Sequence, residues 1–147
     1  MNREIKFRGK SIMNNTCGDW LYSSGIKYGD DVELMYCDED TSEEWNYIDK
    51  ETLGQYTGLH DENGKEIYEN DIVEFSYDIF TGNFDTKLGR GTIEFIDGAF
   101  YIKPFEIECK KIEDIDNGEL FLLYTVNIDT LEIIGNIYDN PELLGGE

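Results

Sequence analysis

A single histidine, His60, limits the acid–base chemistry this chain can perform. A Ser–His–Asp or Cys–His site needs an imidazole beside its nucleophile and a further group to orient it. His60 stands in LHDENGK, a run of turn-forming residues, and reads as a surface turn residue. Asp114, Asp116, Asn117, Gly118 and Glu119 have the residue types of a calcium loop, but the glycine falls one position early and the twelfth place is Thr125, not an acid. A plain turn fits them better. Asp38, Glu39, Asp40, Glu43 and Glu44 offer carboxylates without the glycine-enforced geometry that builds a strong cation site, so they read as a solvated acidic loop. Gly89-Arg90-Gly91 has neither the Lys-Ser/Thr nor the following helix of a phosphate cradle and reads as a flexible approach to a strand. Cys17, Cys37 and Cys109 are odd in number, widely spaced and free of any CxxC pair, so they are expected to be buried small hydrophobes in a reducing compartment. No catalytic residue, metal ligand or cofactor follows from these residues, and the chain is expected not to be an enzyme.

The aromatic residues are more suggestive. Trp20, Trp45, Tyr47, Tyr56 and Tyr68 would serve either as core or, if exposed, as apolar anchors for a partner. Their surroundings bear on the choice. The chain carries 33 Asp and Glu against 12 Lys and Arg, a formal net charge of −21, which repels nucleic acid and anionic membrane surfaces. Residues 29–49 hold no Lys or Arg but contain Asp30, Asp31, Glu33, Asp38, Glu39, Asp40, Glu43, Glu44 and Asp49. The candidate partner-binding set is therefore Asp38, Glu39, Asp40, Glu43 and Glu44 as a steering patch, with Trp45 and Tyr47 as the apolar anchor behind it. A cationic or mixed-charge protein is the expected ligand, with no direct nucleic-acid or membrane contact. Residues 2–10 invert the balance, with Arg3, Lys6, Arg8 and Lys10 against Glu4, which suggests pairing with acidic neighbours and a homo-oligomer. An alternative use of the charge is mimicry: an acidic surface that occupies the groove of a DNA-binding or defence protein.

The elements that would position these groups are strands. Ala99 is the only alanine, beside ten tyrosines and eight phenylalanines, so residues suited to a pleated half-buried surface outnumber helix formers. An all-β fold is expected. At 147 residues folding buries about 70% of the surface of the unfolded chain, enough for a real core. Residues 4–8 alternate, with Ile5 and Phe7 on one face, and Val32, Leu34 and Tyr36 repeat the pattern. Short strands are expected at residues 20–22, 26–28, 45–48 and 132–137, and residues 120–126 are apolar enough to be buried. Asn63-Gly64 and Asp97-Gly98 supply the positive φ of hairpin turns. Val73, Phe75, Ile93, Phe95, Phe100 and Ile102 are the expected contiguous core, Pro104 the end of a strand, and residues 78–89 a long polar loop. The first residues are charged, and no run nears the roughly 20 apolar residues of a membrane span, so a cytoplasmic protein is expected.

Three ordered motifs, NREIKFRGK from Asn2, ETLGQYTGLHDENGKEIYENDIVEF from Glu51 and EIIGNIYDNPELL from Glu132, together give the chain a recognisable signature. It closely resembles the YopX family of phage and prophage proteins. The resemblance implies an SH3-like barrel over residues 58–147, preceded by a smaller β meander over residues 1–57. It also implies a phage or prophage accessory role in the cytoplasm of a host bacterium. It implies no reaction, so the expected function is that of a protein-binding module.

Overall fold

The computed structural model describes residues 4–37, 43–80, 82–108, 120–123 and 126–144. Among them the structure is all-β, with three antiparallel sheets, short 3-10 turns and no α-helix, as the aromatic-rich, alanine-poor composition requires. The chain forms two compact units, residues 1–58 and 59–147.

In the first unit β1 (Phe7–Lys10) lies between β2 (Trp20–Ser23) and the start of β6 (Gly54–His60). A second sheet is the meander β3 (Ile26–Tyr28), β4 (Val32–Cys37) and β5 (Glu43–Ile48). Val32, Leu34 and Ile48 are its buried centre, with Phe7, Leu21, Ile26 and Leu53 packed around them. The strand expected at residues 4–8 begins three residues late, at Phe7. Ile5 is exposed, while β1 buries Arg8 and Gly9 between its two neighbours, so the hydrophobic alternation had pointed to the wrong start. Cys17 is likewise exposed, in the turn before β2 and not in the core, because Ser11, Thr16 and Asp19 tie that turn together through their backbones at the surface. Cys109 and the residues 114–119 of the calcium-like turn lie outside the described residues, as does Thr125.

The second unit is built on a sheet of order β11-β10-β9-β8-β12, comprising β8 (Asp71–Phe80), β9 (Phe84–Ile96), β10 (Ala99–Ile107), β11 (Phe121–Leu122) and β12 (Glu132–Asn136). The short β7 (Glu66–Tyr68) precedes it. Ile67, Val73, Phe75, Ile93, Ile102, Leu123 and Leu131 form one core. Four of the six residues expected to form a core are in it. Phe95 is on the expected face but is 47% exposed, because it sits beside the Asp97-Gly98 turn, past the last residue that packs underneath. Its ring packs against its cross-strand neighbour Phe100, at a centroid distance of 4.9 Å. Phe95→Ala is therefore expected to cost about 1 kcal/mol in urea denaturation, the worth of a surface aromatic pair, not the ~3–5 kcal/mol of a buried ring.

Residues 78–89 are not a loop. β8 and β9 pair without interruption from Ile72↔Thr92 to Phe80↔Phe84, and the connection is only residues 81–83, where Gly82 takes φ +97°. The polar residues there are the outward positions of a long ribbon: Thr86 donates to Asp78 across it at 2.9 Å. Gly89-Arg90-Gly91 accordingly lies inside β9. A Cβ on Gly91 would stand 2.6 Å from the Lys103 carbonyl oxygen, so glycine is what lets β9 and β10 approach here. Pro104 pairs with Gly91, and β10 continues past it through a bulge instead of ending.

Asp61 fastens this unit. It is 6% exposed, in the turn where Gly64 has φ +81°. Its Oδ1 accepts from the amides of Asn63 and Lys65, both at 2.9 Å, and its Oδ2 accepts from the amide of Ile133 at 3.0 Å. Burial pushes the carboxyl pKa up. The amides of Ile133, Lys65 and Asn63, with the Lys65 ammonium, pull it further down, and it ends below its ordinary value.

Candidate functional site

The outer face of the meander collects the exposed groups that the acidic stretch surrounds. Side chains alternate along a strand, so the face opposite Val32, Leu34 and Ile48 carries the cross-strand rows Lys27↔Glu33↔Tyr47 and Met35↔Trp45. Tyr47 is 42% exposed, and Trp45, Glu33 and Met35 are half-buried. The Lys27 ammonium lies 4.2 Å from the centroid of the Trp45 ring, on the diagonal between the two rows. Tyr28, at the edge of the same sheet, is exposed and has the Lys50 ammonium 4.7 Å from its ring, with Lys50 also donating to the Gly29 carbonyl at 3.0 Å. The result is a shallow surface of two aromatic rings and a thioether, crossed by one cation and one carboxylate.

Of the residues singled out in sequence, Trp45 and Tyr47 are brought together on this face. Glu44 is exposed on β5, and the backbone of Glu43 pairs with Cys37 at the far end of the sheet. Asp38, Glu39 and Asp40 lie outside the described residues. The other aromatics divide. Tyr56 and Tyr68 are core, the latter donating to Glu66 at 3.1 Å, while Trp20 is half-buried beneath Arg8 and Lys10, at 4.6 and 5.4 Å. Lys27, Glu33 and Met35 join the face without having been singled out. Only the cross-strand register places them there, although their spacing from Ile26, Val32 and Leu34 already put them on the opposite side.

The remaining chemistry candidates do not assemble. His60 is exposed at the end of β6, and Arg90 Nε bonds Glu74 Oε2 at 3.2 Å as an ordinary cross-strand pair. Among the described residues, no three His, Cys, Asp or Glu side chains are grouped to hold a metal ion, and no helix is long and apolar enough to cross a membrane.

The sequence profile described as YopX protein matches residues 6–145, nearly the whole chain, and the chain belongs to that family. A crystal structure of protein EF1440 from Enterococcus faecalis is similar over 97% of this chain and 99% of that one, with 20% identity and a TM-score of 0.46. No curated protein matches.

Proposed function

We propose that this YopX-family chain is a non-enzymatic accessory protein of a phage or prophage, acting in the host cytoplasm by binding another protein through the outer face of β3–β5. The observation that carries the reading is the exposed Tyr47 beside the Lys27–Trp45 stack, set in a stretch of nine acids without a Lys or Arg. Aromatic rings on a rigid sheet supply contact area at low entropic cost, and the surrounding carboxylates steer a cationic or mixed-charge partner toward them. Self-association belongs to the same proposal, through a strand edge. β1 is central in its sheet and Arg8 is 5% exposed, so the basic strand is largely enclosed by its own unit.

The test is affinity capture from infected host cells at low and moderate salt, followed by kinetics on the captured partner. Exchanging Asp38, Glu39, Asp40, Glu43 and Glu44 for Asn or Gln is expected to slow association about tenfold at low salt and to flatten its salt dependence. Trp45→Ala is expected to speed dissociation by about tenfold or more, with association little changed. Equal kinetics for all three proteins would remove this face from the function. The net charge of −21 supports a second reading, a mimic of nucleic acid, in which duplex DNA displaces the captured partner in competition.

A further inference from the structure

The second unit leaves one strand edge unfinished beside a cleft. β12 pairs with β8 only from Asp71 to Glu74, whereas β8 runs on to Phe80. The chain leaves the β12 line at Leu131 for a 3-10 turn, Ile128–Thr130, and Thr130 ties itself to Ser76 by a hydroxyl pair at 2.7 Å. Beyond that point no strand among the described residues lies on this side of β8.

The direction of the edge groups follows from the other strand. Leu88 turns both its amide and its carbonyl away from β8: the amide donates to Glu108 Oε2 at 3.0 Å, and the carbonyl accepts from the Glu108 amide at 2.8 Å. Leu88 is the register partner of Ser76, so this is a pair without mutual ladder bonds, and Ser76 turns its own amide and carbonyl away from β9. Alternation gives Asp78 and Phe80 the same outward direction. The Ile133 amide, which goes to Asp61 and not to β8, agrees with this phase. Next to the edge is a cleft of 720 Å³. Tyr77, Phe121 and Val126 give it apolar wall, the two rings 5.4 Å apart, and Asp78 is its charged lining residue among those described.

We propose that residues 76–80 of β8 are a docking edge for an extended segment of a partner protein, added as a sixth strand in the line that β12 vacates. Its pattern is set by the two sides of the edge. One side chain enters the Tyr77–Phe121–Val126 wall and is apolar; its neighbours in sequence fall on the opposite face and are Lys or Arg, matched to Asp78 and to the net negative charge of the chain. Backbone bonds to Asp78 and Phe80 supply the affinity, and the alternating apolar and basic side chains supply the selectivity. This edge is in the second unit and is independent of the β3–β5 face.

The test is selection of ten-residue peptides from a displayed random library on the intact protein, followed by affinity measurement with synthetic copies. Enriched peptides are expected to alternate apolar and basic residues. N-methylation of every second peptide amide is expected to weaken binding at least tenfold in one phase and less than twofold in the other, because only one set of amides faces β8. Asp78→Ala is expected to weaken binding by about threefold. Asp78→Pro, which also removes an outward amide while sparing the ladder to β9, is expected to weaken it about tenfold further, with the melting temperature of each variant confirming its fold. Trp45→Ala should leave peptide affinity unchanged. Failure to enrich any peptide, or equal sensitivity to both N-methylation phases, overturns the proposal. So does a concentration-dependent dimer that Asp78→Pro dissolves, since the occupant would then be a second copy of this chain.

Discussion

Replacing Phe75 with alanine is expected to destabilise the second unit by ~3–5 kcal/mol, the usual cost of emptying a fully buried ring site. Phe75 is 0% exposed and packs its ring against Tyr77 at 6.0 Å and Phe121 at 5.1 Å, so its removal empties the junction of β8 and β11. Gly89, directly across the ladder, makes the loss worse. A Cβ there would come within 2.9 Å of the Phe75 ring, which shows the ring lying over a residue that has no side chain to fill the void. Urea denaturation monitored by near-ultraviolet circular dichroism measures the effect; a change under about 1 kcal/mol would mean that the ring is not central to the core. Phe75→Leu, which keeps most of the volume, should recover more than half of the loss.

Asp61→Ala is expected to cost roughly 3 kcal/mol at neutral pH, since it leaves three backbone amides without their carboxylate and each such charge-assisted bond is worth on the order of 1 kcal/mol or more. The pH dependence carries its own sign. The carboxyl pKa is lower in the folded state than in the unfolded chain, so its stabilisation is complete above about pH 4 and is lost as the pH falls through the folded value. Stability curves of the natural chain and of Asp61→Ala, measured from pH 7 to pH 2, should therefore converge in acid. Parallel curves would show that Asp61 contributes no charge-dependent bond.

The family motifs, the hairpin turns and most of the core were legible because each depends on neighbours in sequence. Gly64, and Asp97 with Gly98, take positive φ locally, and the alternation of Val73 with Phe75 and of Ile93 with Phe95 fixes a face. What alternation does not carry is where a face stops being covered, and Phe95 fell past that limit. Composition misread the β8–β9 ribbon for a related reason: exposed polar residues along a strand look like a loop. Gly89-Arg90-Gly91 looked flexible because its glycines were weighed without the Phe75 ring and the Lys103 carbonyl that need the space. At the candidate face Trp45 and Tyr47 were visible in the sequence. Their neighbours Lys27 and Glu33 were not, because cross-strand register is a property of two segments and not of one.

The Asp61–Ile133 bond joins residues 72 apart, and Asn70 reaches Tyr138 over 68. During synthesis the turn at residues 61–64 and the β8–β9 ribbon emerge long before the strand that completes them. For that interval β8 is bare along its whole outer edge and Asp61 has only its local amides. The second unit closes only when its final strand arrives, which makes the order of synthesis a period of exposure that chaperones or a waiting partner would meet first.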